Sequence, residues 1–136
     1  MHSSLRLTTF LAVALIAAGC GGSGAPTPAP GGPTVEMKEW QVIVTPATLK
    51  AGSNAITVRN TGSSAHDLTI IKTDKPADQL ANDGAKVTEP AFANTASLNP
   101  GQTATVTVDL AAGKYVFICN QPGHYPLGMR TGVTVQ

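Results

Sequence analysis

Residues 117–129 read FICNQPGHYPLGM and bring three different donor groups into one short stretch. Cys119 offers a thiol, His124 an imidazole and Met129 a thioether, at a spacing of Cys-x4-His-x4-Met. Pro122 and Pro126 restrict the intervening chain before it folds, and Gly123 and Gly128 allow tight turns and close backbone approach. A stiff loop carrying sulfur, nitrogen and sulfur is what a site for a soft metal requires.

The donor types narrow the choice of metal. Thiolate and imidazole suit both zinc and copper, whereas a thioether is a poor zinc ligand and a common weak axial ligand of copper. Two histidines, one cysteine and a distant methionine make the electron-transfer copper arrangement. One more histidine is then needed. His66, in SSAHDLTII, stands where a loop enters an apolar strand, and such a strand can aim it at the C-terminal loop. Each residue taken singly has a plainer reading: Met129 as core filler, His66 as a hydrogen-bonded loop residue, Cys119 as an inert buried thiol.

The rest of the chain must position these groups. The segment LTTFLAVALIAAGC, preceded by Arg6, is an apolar run too short to span a bilayer, followed by small residues. It reads as an export signal over residues 1–19, and AAGC resembles a lipobox with Cys20 as the lipid-modified residue. Ala17 stands where Leu is usual. Cleavage before Cys20 removes His2 and Arg6, leaving His66 and His124 as the histidines and eight basic against eight acidic residues. A lipid on Cys20 blocks it from pairing, so Cys119 is expected to be a free thiol in an oxidising compartment, which calls for a reason. Residues 20–33, with GGSGAPTPAPGGP, form a tether that cannot build a core. No run of Lys or Arg gives a nucleic-acid footprint, and the near-neutral charge provides little long-range steering.

From residue 34 to residue 136 the texture is β. WQVIVTPATL, NAITVRN, HDLTIIK, TATVTVDL, KYVFICN and GVTVQ are short runs rich in Val, Ile and Thr, separated by Gly, Pro and Asn turns. That rhythm predicts an all-β sandwich in a single domain. Residues 73–96 break it. Within them PADQLAND predicts a short helix or irregular insertion near residues 76–83, with Pro76 in the first turn and Gly84 past the end. Trp40 and Phe117 are expected in the core.

With these residues assembled, the chain resembles the cupredoxin family of small blue copper proteins. IC-NQPGHYPL-GM resembles the family's Cys…Pro-Gly-His…Gly-Met loop, and LNPGQTATVTV and KYVFIC resemble its late strands. The five-residue step from His to Met is similar to the auracyanin, rusticyanin and sulfocyanin branch; plastocyanins have a shorter Cys–His step.

The resemblance implies that the all-β sandwich is a Greek-key one, and that it holds one type 1 copper ion with His66, Cys119 and His124 as equatorial ligands and Met129 as the axial one. It implies that Asp67 and Asn120, the neighbours of two ligands, bond to each other and hold the ligand loops together. In relatives these positions usually carry Asn and Ser or Thr. It implies a partner-docking patch around His124, for which Gln121, Pro122, Pro126 and Leu127 are the candidates. The expected protein is a monomeric electron carrier, not an enzyme, fixed to the membrane by lipid and serving redox proteins of the cell envelope. The alternatives are a copper-delivery lipoprotein with the same ligands and a metal-free adhesion sandwich.

Overall fold

The computed structural model describes residues 31–136. The expected signal segment, Cys20 and most of the tether lie outside the described residues. Nine strands run in the order β1 (Thr34–Lys38), β2 (Gln41–Thr45), β3 (Thr48–Leu49), β4 (Gly52–Asn60), β5 (Thr69–Lys72), β6 (Ala93–Asn94), β7 (Thr103–Leu110), β8 (Gly113–Ile118) and β9 (Arg130–Val135). They form one sheet in the order β2-β1-β4-β7 and a second in the order β3-β9-β8-β5-β6. Both sheets are mixed: β1 runs parallel to β4 and β3 parallel to β9, while the other pairs are antiparallel. The all-β sandwich expected from the alternating runs is the fold.

Alternation explains the main core. In β1 the sequence TVEMK buries Val35 and Met37 and exposes Glu36 and Lys38. These meet Ile56 and Val58 of β4 and Leu110 of β7 from the same sheet, and Ile70, Tyr115, Phe117 and Val133 from the other. Cys119 and Met129 belong to this same cluster. Phe117 is fully buried, as expected.

In contrast, β8 carries YVFI with no polar alternation, the pattern of a strand covered on both faces. Its outward residues Val116 and Ile118, with Ile71 of β5, pack under Leu80, Val87 and Tyr125. Residues 73–96 supply that cover, which is why they cannot be a free loop.

They contain no helix. Residues 76–83 instead make one turn, closed by Gln79 N–H to Pro76 O at 3.0 Å. A small antiparallel bridge between Asn82 and Val87 follows. An isolated helix of eight residues lies below the length at which helices hold in water. Here the competing bonds are local. Asn82 Oδ1 accepts from Gly84 N–H at 3.1 Å, and Asp83 Oδ1 accepts from Ala85 and Lys86 N–H at 2.9 and 2.7 Å. Asn and Asp side chains that capture nearby backbone donors favour turns over helix.

Candidate metal centre

His66 precedes β5 and is locked by backbone bonds in both directions with Leu98, at 3.0 and 2.7 Å. The buried amide of Asn60 fixes the same corner. It donates to Leu98 O at 2.8 Å and Ser64 O at 2.7 Å and accepts from Gly62 N–H at 2.9 Å. Asn60 ends a strand and lies far from the ligand motif in the chain, so sequence reasoning passed over it.

Cys119 leaves the end of β8, and its N–H donates to Met129 O at 3.0 Å. That bond closes the neck of the 119–129 loop. Inside the loop Met129 N–H donates to His124 O at 3.1 Å, and His124 N–H to Gln121 O at 3.0 Å. Gly123, at φ 82°, makes the left-handed turn that brings His124 back towards Cys119.

The result is a triangle of donors. Cys119 Sγ lies 3.7 Å from His66 Nδ1 and 3.3 Å from His124 Nδ1, and the two Nδ1 atoms are 3.2 Å apart. The point equidistant from these three atoms lies about 2.0 Å from each, close to the length of metal–imidazole and metal–thiolate bonds. The three donors therefore fit a single metal ion. His66, Cys119 and Met129 are fully buried and His124 is half-buried. Residues 66 and 119, far apart in sequence, thus meet with no hydrocarbon between them.

Burial sets the titration of the donors. It pushes the Cys119 thiol up to about 11, while the backbone N–H groups of Asp67 and Gln121 pull it the other way. Burial, and then the neighbouring His124, holds His66 below the usual imidazole range, so its neutral, ligating form is favoured. A metal must displace the thiol proton to bind.

Asp67 ties the two ligand loops together, bonding to Asn120 and also to Gln121. Its Oδ1 accepts the backbone N–H of Asn120 at 2.7 Å, and its Oδ2 accepts from Gln121 Nε2 at 2.8 Å. The Asn120 side chain turns away to the insertion, accepting from Val87 N–H at 2.8 Å and donating to Val87 O at 3.2 Å. Gln121 is thereby half-buried and occupied, whereas Pro122, Pro126 and Leu127 are exposed. Tyr125 and Gly123 add further ties to the insertion. The Tyr125 hydroxyl donates to Ala77 O at 2.9 Å and accepts from Leu80 N–H at 3.0 Å, and Gly123 N–H donates to Ala85 O at 2.8 Å.

Trp40 is not in the core. It sits 49% exposed in the turn between β1 and β2, at φ 63°, with its ring edge-on to His124 at 5.8 Å between centroids. The inward positions of β1 end at Met37, and the turn begins at Glu39, so no core slot remains for it.

Residues 36–136 match the family described as copper binding proteins, plastocyanin/azurin family. The chain belongs to that family. Its buried His66, Cys119, His124 and Met129 are arranged as the type 1 copper site of a cupredoxin. It is similar to auracyanin-A of Chloroflexus aurantiacus, with 31% identity over 146 residues covering 89% of this chain and 90% of that protein. Auracyanin-B of the same organism is 47% identical over 49 residues, which are 35% of this chain and only 21% of that one. Among solved structures, reduced auracyanin from Roseiflexus castenholzii superposes with a TM-score of 0.56 at 27% identity, over 76% of this chain and 94% of that one.

Proposed function

We propose that this cupredoxin is a one-electron carrier of the cell envelope, held at the membrane through a lipid on Cys20 and exchanging electrons with envelope redox proteins. The observation that carries the reading is the donor triangle, buried on every side except the half-exposed edge of His124. Copper bound there supplies a Cu(II)/Cu(I) couple; the chain supplies everything else. The closed neck of the loop and the double lock on His66 keep the donors in one geometry, so little rearranges when charge changes. Full burial of Cys119 and Met129 excludes water from the sulfur side. His124, flanked by exposed Trp40, Pro122, Pro126 and Leu127, provides the short way in and out. An apolar rim of this kind favours brief docking with little desolvation of charge.

The test is the visible spectrum and voltammogram of the copper-loaded protein. An intense thiolate-to-copper band with a reversible one-electron wave supports a carrier. A pale complex that exchanges its copper rapidly points to delivery instead, and no copper binding sinks both.

A further inference from the structure

The other nitrogen of His66 raises a separate question. With Nδ1 facing the donor triangle, a metal-bound imidazole carries its proton on Nε2. That atom is fully buried and has no hydrogen-bond partner among the described residues. An orphaned buried N–H is destabilising, so a nearby acceptor matters. Glu39 Oε1 stands 3.6 Å away, just beyond hydrogen-bond length.

The carboxylate is not there by chance of a mobile side chain. Glu39 Oε1 accepts from Ser63 N–H at 2.6 Å, Ser64 N–H at 2.8 Å and Ser63 Oγ at 3.0 Å. Residue 62 leaves the space open because it is glycine. A Cβ there would sit 2.8 Å from both Glu39 oxygens and 2.9 Å from His66 Nε2. The turn that delivers Glu39 also carries Trp40 in a left-handed conformation, which is unfavourable for a non-glycine residue. So a carboxylate from the β1–β2 turn, a glycine and two serine amides converge behind one copper ligand.

We propose that Glu39 is a positioning residue for the copper site, whose negative charge behind His66 Nε2–H orients the imidazole and lowers the reduction potential. An ionic partner on the far nitrogen makes the near nitrogen a stronger donor. A fixed negative charge also stabilises Cu(II) more than Cu(I). The inference rests on the site working as a reversible copper couple.

The experiment is voltammetry of the copper-loaded full chain, comparing wild type, E39Q and E36Q. A wild type with no reversible wave counts against the carrier reading itself. Given a wave, E39Q keeps the amide oxygen that can accept from Ser63 and Ser64 but loses the charge. It should weaken Cu(II) binding relative to Cu(I) about tenfold, an upward shift of about 59 mV. Glu36, exposed on β1, removes the same charge without touching His66 and should shift the potential much less. An unchanged potential in E39Q, or equal shifts in E39Q and E36Q, overturns the proposal. If E39Q does not fold, hydrogen exchange in the reduced wild type decides instead. The His66 Nε2 proton should be strongly protected, and rapid exchange overturns the assignment.

Discussion

Replacing Tyr125 by Phe removes one oxygen and two hydrogen bonds, both of which join the metal-binding loop to the insertion. The hydroxyl is the acceptor for the buried Leu80 N–H at 3.0 Å and the donor to Ala77 O at 2.9 Å. Leu80 is 3% exposed, so its N–H has no access to solvent once the oxygen is gone. A buried donor left without a partner costs about 1–3 kcal/mol, and the part-buried Ala77 carbonyl adds about 1 kcal/mol when its bond is lost. The ring itself keeps its packing against Ile71, Val116 and Ile118, so no cavity term enters. The expected loss is about 2–4 kcal/mol, or on the order of 10 °C in Tm for a domain of this size. Urea unfolding of the metal-free protein measures it directly, with the slope of the transition unchanged. The donor triangle is not touched, so the copper-loaded variant should keep the wild-type spectrum. A loss below about 0.5 kcal/mol would refute the reasoning, since it would mean that the insertion does not depend on this hydroxyl and that water reaches Leu80.

Asp67→Ala cuts two bonds between the ligand loops and should weaken copper binding about 10–100-fold, measured by competition with a chelator; an unchanged affinity would show that the loops hold their spacing without it. Met129→Leu should keep the thiolate-to-copper band and raise the potential, because the axial donor tunes the couple without supplying the colour; a colourless variant contradicts the axial assignment. The metal-free protein should lose stability as pH rises from 9.0 to about 11, because the folded thiol binds its proton more tightly than the unfolded one. The loss across that window is at most about 3 kcal/mol. Cys119→Ser should lack that component, and identical pH profiles for the two proteins would count against burial as the cause.

The strands and the ligands were legible in the sequence for the same reason: both are written at short range. Val35 and Met37 alternate with Glu36 and Lys38, and a period of two reports which face is buried. Cys119, His124 and Met129 share one loop, so their spacing and the prolines and glycines between them already describe its chemistry. Even His66 was reachable, by the scarcity of imidazoles.

What lay beyond reach is most of the choices of partner across the fold. Asp67 and Asn120 do bond, through the Asn120 backbone N–H, but nothing in the sequence points to Val87 as the partner of the Asn120 side chain. PADQLAND has the flanks of a helix, but covering Ile71, Val116 and Ile118 requires Leu80 and Val87 on one side, and a turn and bridge deliver both. Trp40 is apolar and reads as a core residue, whereas the end of β1 puts it beside His124 at the surface. Glu39 gave no sign of a role, because its meeting with His66 depends on where two turns separated by β2, β3 and β4 come together. Residue types and spacing determined that this chain folds as a β-sandwich and offers copper a cysteine, two histidines and a methionine. Only the packed structure decided what stands behind each of those ligands, since contacts between distant segments depend on the volumes and angles of everything in between.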